Sequence, residues 1–381
     1  MRLESTPELD AFRHKVRAFV AEHAPGRKRH AGVRAPEPEL MPAIREWTAK
    51  LYEAGFLGID WPARYGGRPD AHPLEPSVVA EEIARARTWP PVGAASLASS
   101  ALIEYGTDAQ RDFFLPRIRS CADVWCQLFS EPEAGSDLAS LRTRARREGD
   151  VFVVDGQKVW TTNGQHADMG YLLARTDPDA PRHKGITAFA LDMRSPGVEV
   201  RPLREITGTT DFNEVFLDGV RVPVGNVIGE VGGGWRVAMS SLGHERSGVA
   251  ARGVELIAVL DDLLRLSGGR SSEELGELAT RVQVNAAMIG LAQSRMLAGT
   301  EGAADALLGK IFFSELNHDL VEFGLRTQGT DGLLVGGDPS AVAEGWWQDA
   351  HLYARAYTIA GGANEILRTQ VAERGLGMPR G

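Results

Sequence analysis

The spacing of apolar residues changes twice along this chain, and that change limits the fold more than any single residue does. In residues 1–122, Leu9, Phe12, Val16, Phe19 and Val20 recur at helical spacing. Pro25 and Gly26 end that helix, and a second amphipathic run covers Met41 to Ala54 before Gly55. Trp61 to Gly67 is too rich in Pro and Gly to be helical and reads as an ordered loop. Helices resume near Pro76. Thr107 with Gln110 makes a capping box, which opens a helix toward Leu115 that Pro116 is expected to cut.

Residues 123–228 keep a period of two. Val151 and Val153 alternate with Phe152 and Val154, and turn chemistry at Glu148-Gly149-Asp150 and Asp155-Gly156 brackets them. Further strands are expected at Gly170–Arg175, Ile186–Met193, Val198–Pro202 and Asn213–Val222. Short strands between turns suggest a compact β-barrel or sandwich. From residue 229 the helical period returns, with helices expected over Trp235–Leu266, Leu275–Ala298, Ala303–Arg326 and Ala341–Tyr357 and a last one from Asn364. Long striped helices with short joins suggest a bundle. The chain thus reads as α+β and mainly α: helices over 1–122, a small β domain over 123–228 and helices over 229–381.

Composition narrows the function classes. A net charge of −9 argues against nucleic acid as a partner. Two cysteines, Cys121 and Cys126, stand without a His/Cys cluster, so neither a metal site nor a disulfide scaffold is expected. The first residues carry no signal-peptide pattern and no apolar run could span a membrane, so a cytoplasmic location is expected.

Four segments carry chemistry-bearing residues. Gln127 to Asp137 passes from apolar residues to Ser130-Glu131-Pro132 and Ala134-Gly135-Ser136-Asp137. Such a loop offers N–H groups and hydroxyls to a phosphate or a ring edge, and equally suits an ordinary sheet edge. In Trp160-Thr161-Thr162-Asn163-Gly164, Trp160 and Thr162 share a strand face. That pair suits a planar heterocycle, or a core tryptophan beside a turn. Trp235 to Arg246 sets Glu245 beside an apolar helix face, as a desolvated base or a solvated Glu-Arg pair. Ile359-Ala360-Gly361-Gly362-Ala363-Asn364-Glu365 opens a helix with two glycines, as a site for close backbone approach or a simple turn.

The order and spacing of these segments resemble the acyl-CoA dehydrogenase family of FAD flavoproteins. Further matching residues are Gly106-Thr107 with Gln110, Leu115-Pro116, Pro196-Gly197-Val198, Phe212 to Phe216, Asp218 to Pro223 and Gly233-Gly234-Trp235. The resemblance covers almost the whole chain and implies a helical domain, a β domain and a C-terminal four-helix bundle.

It also implies roles. Gln127, Phe129 and Ser130 would meet the flavin ring or ribityl chain, and Gly135 and Ser136 the pyrophosphate, with Ser136 also facing substrate. Trp160 would stack near the flavin, Thr162 would donate toward N5, and Ala363 and Glu365 would close the cofactor site. The reaction implied is α,β-dehydrogenation of an acyl-CoA, with electrons passed to an electron-transfer flavoprotein. Many members carry the catalytic Glu where this chain has Gly361. A smaller branch carries it on the first long bundle helix, where Glu245 stands. Glu245 is therefore the expected base, Gly361 the expected oxyanion N–H donor, and Arg246 a substrate-positioning residue.

Two departures stand out. The family's Arg-x-x-Phe-Gly segment is missing, with Arg265 or Arg270 as candidate substitutes, and the Gln-x-x-Gly-Gly-x-Gly run survives only as Gln328 to Gly332. The assembly implied is a homotetramer or homodimer, or a heterotetramer with a related chain. Alternatives are a non-catalytic subunit of such a heterotetramer and a flavin-dependent acyl-thioester oxidase. Nitroalkane oxidation would call for an Asp base, which neither position supplies.

Overall fold

The computed structural model describes the backbone of residues 6–251, 253–302 and 304–379, and the side chains of these residues except 243–251. Contacts gather the chain into two compact units: Met1–Gly32, Asp70–Pro90 and Arg246–Gly381 form one, Val33–Pro69 and Pro91–Glu245 the other.

The N-terminal helices are α1 (Pro7–His23), α2 (Met41–Glu53), α3 (Glu75–Arg85), α4 (Ala95–Tyr105) and α5 (Asp108–Arg119). They divide between the units, with α1 and α3 in the first and α2, α4 and α5 in the second. Thr6 caps α1, and Leu9, Val16 and Val20 bury its stripe as the spacing requires. Trp61 to Gly67 is an ordered loop around one 3-10 turn at Ala63–Tyr65. The capping box at Thr107 is complete in both directions. The Gln110 amide also donates to the carbonyls of Gly225 and Val227, at 2.8 and 2.7 Å, pinning a distant turn to this helix start.

Pro116 does not cut α5, which runs on to Arg119. Its ring removes one backbone bond, and Leu115 and Ile118 on either side are buried, so packing outweighs the loss in this last turn.

The strands are β1 (Trp125–Leu128), β2 (Arg144–Glu148), β3 (Val151–Lys158), β4 (Met169–Arg175), β5 (Ile186–Asp192), β6 (Val198–Leu203), β7 (Phe212–Pro223) and β8 (Val227–Ile228). They form one sheet in the order β6-β7-β3-β2-β4-β5-β8, with β1 parallel to β4. Alternation gives each strand two faces. Tyr171 and Leu173 of β4 face a core shared with Ala98, Leu102, Phe114 and Leu115. Leu172 and Ala174 face a second core, which also takes Phe152, Val154, Phe189, Val215 and Val220. Strands far apart in the sheet order thus share one interior, as a sandwich requires. β1, β2 and β8 were not expected: β2 is almost wholly charged, and β1 and β8 are too short for a period.

The C-terminal helices are α6 (Gly234–Ala251), α7 (Gly253–Leu266), α8 (Glu273–Leu297), α9 (Asp305–Thr327), α10 (Trp346–Ile359) and α11 (Asn364–Gln370). The expected helix at Ala341 starts five residues later, because Gly345 turns left-handed at φ 78 and the chain before it is irregular. α7 to α10 close on one core, in which Leu256, Leu263, Val282, Phe313, Leu316, Leu320 and Trp347 are buried. Among the described residues no helix is long and apolar enough to cross a membrane.

Candidate functional site

In the sheet unit the candidate residues follow the end of β3: the strand stops at Lys158, so Trp160 and Thr162 do not share a strand face as expected but lie on the turn beyond it. A register shift between Val154 and Gly156 re-aims the strand. A Cβ on Gly156 would lie 2.4 Å from Thr143 Oγ1, so only glycine fits this bend. Lys158 follows, fully buried, and then Trp160 takes a left-handed φ of 60. A bulky residue there costs about 1–3 kcal/mol, and such strain gathers at functional sites. Trp160 is also 60% exposed, with its ring held edge-on by Phe212 at 5.9 Å. Thr161 and Asn213 exchange both backbone bonds at 3.0 Å and the Asn163 N–H donates to the Asp211 carbonyl at 3.3 Å, which fixes the chain on either side of Thr162.

The Gln127 to Asp137 segment lies beside it. The Val159 N–H donates to the Ser130 carbonyl at 2.9 Å. Glu131 and Ala134 exchange backbone bonds and close a tight turn, which leaves Gly135 and Ser136 exposed. Phe129 is buried and meets Tyr171 edge-on at 4.9 Å, so its ring serves the core and does not present a face to a ligand. Gln127 is half-buried at the end of β1.

These residues fit a flavin. An exposed, strained indole beside a hydroxyl suits a planar ring, and a loop with exposed Gly135 and Ser136 suits a phosphate. A Cβ on Gly135 would meet nothing within 4 Å, so the approach to that loop is open.

In the helical unit, α9 holds the start of α11. Lys310 Nζ donates to the Gly362 carbonyl and to Asn364 Oδ1, both at 2.7 Å. Asn364 Nδ2 donates to Ser314 Oγ at 3.0 Å and to Glu315 Oε1 at 3.1 Å, and Arg368 pairs with Glu315. This clamp fixes Gly361 and Gly362, which take φ of 67 and 101. A Cβ on Gly362 would press on Leu367 Cδ2 at 2.9 Å, whereas one on Gly361 would meet nothing within 4 Å. Ala363 is half-buried at the N-cap of α11 and Glu365 is exposed. Glu245 and Arg246 fall in α6, but their side chains lie outside the described residues.

Sequence reasoning missed Lys158, Glu131 and Lys310. The available signal was rarity, since the chain has only a handful of lysines, at 15, 28, 50, 158, 184 and 310, and two of these sit among apolar neighbours.

Lys310 gives a pH prediction. Burial is the largest influence and draws its pKa from 10.5 to about 8, against the upward pull of Glu365 and Glu315. A folded pKa below the unfolded one contributes stability that is present above the unfolded value and lost as pH falls through about 8. Wild type should therefore gain stability relative to Lys310→Met as pH rises from about 8 to about 10. Thermal unfolding of both proteins across that range checks it, and a constant difference would refute the assignment.

The family profiles of the acyl-CoA dehydrogenase N-terminal, middle and C-terminal domains match residues 6–121, 126–220 and 232–376. The chain is 38% identical over 96% of its length to acyl-CoA dehydrogenase FadE34 of Mycobacterium tuberculosis (strain ATCC 25618 / H37Rv), and spans 52% of that protein. It is 36% identical to acyl-CoA dehydrogenase IpdE1 of the same organism, covering 98% of both chains. A solved structure titled Tcur3481-Tcur3483 steroid ACAD matches all of both chains, at TM-score 0.87 and 31% identity. The ChsE4-ChsE5 complex from Mycobacterium tuberculosis also covers all of both chains, at TM-score 0.82 and 28% identity.

Proposed function

Because this chain belongs to the acyl-CoA dehydrogenase family, whose members are FAD-dependent oxidoreductases, we propose that it oxidises an acyl-CoA thioester to the trans-2-enoyl-CoA. The observation that carries the reading is Trp160, an exposed and strained indole next to Thr162, where the family places its flavin contacts. FAD, when bound, supplies the acceptor for the β-hydride. The protein does the rest. Glu245 takes the α-proton, and a base there works best with a pKa near neutrality. The Gly361 N–H receives the charge that develops on the thioester oxygen, a kind of contact whose loss costs about 3–4 kcal/mol. Trp160 and Thr162 orient the ring, Gly135 and Ser136 hold the phosphates, and Arg246 positions the thioester. The electrons pass on to an electron-transfer flavoprotein.

Steroid acyl-CoAs head the substrate panel, since the structural relative Tcur3481-Tcur3483 is a steroid ACAD. Straight-chain acyl-CoAs of fatty-acid β-oxidation come second. A related chain is the favoured partner: this chain spans about half of FadE34, and two structural relatives are titled with two components each. The same observations, with Gly361 in place of a base, favour a half-site subunit as the second reading.

The test is the visible spectrum of the purified chain, followed by anaerobic addition of the acyl-CoA panel. A yellow protein bleached by one of them is the expected result. A colourless chain that takes up flavin only with a partner moves the assignment to the half-site subunit. Fast aerobic re-oxidation with peroxide release moves it to the oxidase.

A further inference from the structure

Lys158 and Glu131 form an ion pair with side-chain exposures of 0% and 7%, and neither residue has a place in the chemistry described above. Burying two charges is expensive, and a hydrophobic pair of similar volume often serves stability equally well. The pair therefore needs a reason beyond stability, and its contacts supply one. Lys158 Nζ donates to Glu131 Oε1 at 2.8 Å and to the Phe129 carbonyl at 3.0 Å. Glu131 Oε1 accepts the Thr143 N–H at 2.9 Å, and Oε2 accepts the Arg142 N–H at 2.6 Å. One carboxylate thus ties together the two ends of the 131–142 loop, and one ammonium ties that loop to the end of β3, two residues before Trp160.

We propose that the Lys158–Glu131 pair is the positioning device of the flavin loops: it sets the place of residues 129–136 relative to Trp160, and through them the affinity and electronic environment of bound FAD. The inference rests on the flavin reading of these loops and goes beyond it, because neither side chain is exposed to touch the cofactor. Geometry explains the choice of charges. The ammonium reaches a carbonyl and a carboxylate at once, and the carboxylate receives two backbone N–H groups besides. An apolar pair would fill the volume and hold none of the three backbone groups in register. The left-handed Trp160 also needs surroundings that over-determine it. The Val159–Ser130 bond and the Lys158 contacts flank it on the N-terminal side, and the Thr161–Asn213 pair flanks it on the C-terminal side.

The experiment uses the full chain, its apoprotein titrated with FAD, in wild type, Glu131→Gln, Lys158→Met/Glu131→Met and Arg117→Met. Arg117→Met is the control, since it breaks another partly buried pair of the same unit, with Asp123. The double variant removes both charges, so it is expected to fold, with a melting temperature lowered only by the lost partners of the Phe129 carbonyl and the Arg142 and Thr143 N–H groups. Both variants of the pair should nevertheless bind FAD at least tenfold more weakly. Any flavin they hold should show a shifted visible band, with normal affinity and band in Arg117→Met. A stable double variant with wild-type FAD affinity and spectrum would overturn the proposal. So would FAD losses in all variants that merely track their melting temperatures. If wild type itself takes up no FAD, the flavin reading of this chain fails, and this proposal with it.

Discussion

Glu245→Gln should keep its flavin and lose its turnover. Bleaching by the best acyl-CoA should slow by about a hundred- to ten-thousand-fold, the usual worth of a positioned general base. The amide has the shape of the carboxylate but cannot take the α-proton, so binding and chemistry separate. FAD affinity and the affinity for the enoyl-CoA product should stay within about threefold of wild type, because a change of about 1.4 kcal/mol would be needed to shift either tenfold. The base is expected on α6 because Gly361, the other position to which the family resemblance points, offers a backbone N–H and no carboxylate. Stopped-flow reduction under nitrogen measures the rate, and a pH series identifies the group, since the bell of kcat/KM should lose its acidic limb in the variant. Unchanged bleaching would move the base to another residue and leave the rest of the assignment standing.

The order of elements was legible because period is a property of many residues together. The strand at 151–158 announced itself by alternation, whereas 169–175 and 186–192, buried on both faces, showed as short apolar runs between turns. β2 was not legible: Arg144, Arg146, Arg147 and Glu148 stand exposed, and Ala145 alone turns inward, so its place follows from pairing with β3 and not from its own pattern. Pro116 shows the converse, a strong local signal overridden by the burial of Leu115 and Ile118. At the site, motifs marked Trp160, Thr162, Ser136 and Gly361, residues at which the backbone or an exposed group is special. They passed over Lys158 and Lys310 and gave Glu131 and Asn364 no partner, because the value of these residues lies in partners 27 and 54 positions away. A sequence shows a charge but not its partner. That the charges are buried, and hence costly if unpaired, appears only with the fold.

Arg34→Met should destabilise the sheet unit by about 3–5 kcal/mol, because it strands a buried charge. The Arg34 and Asp211 side chains are 1% and 4% exposed. Arg34 Nη1 donates to Asp211 Oδ2 at 2.8 Å and to Thr209 Oγ1 at 3.0 Å, while Asp211 Oδ1 accepts the Ala35 N–H. Glu205 stands close by, accepting the N–H groups of Asp211 and Phe212, and burial above all holds its pKa above the usual carboxylate value. Without the guanidinium, two carboxylates would face each other with no cation between them. In a unit of this size each kcal/mol moves the melting temperature by about 2–4 °C, so the drop is large enough to read directly. Its pH dependence distinguishes charge from packing. A raised folded pKa contributes stability that is present at low pH and lost as pH rises through it, so protonation relieves the variant more than the wild type. The gap between the two proteins should narrow as pH falls from about 7 to about 4, and Arg34→Met/Asp211→Leu should recover much of the loss at pH 7. A gap that is constant with pH would mean that Arg34 acts by filling space. The consequence reaches the site, because the Asn163 N–H donates to the Asp211 carbonyl and Phe212 props the Trp160 ring. The destabilised protein should therefore release its flavin before its sheet melts, and flavin fluorescence during heating would show that order directly.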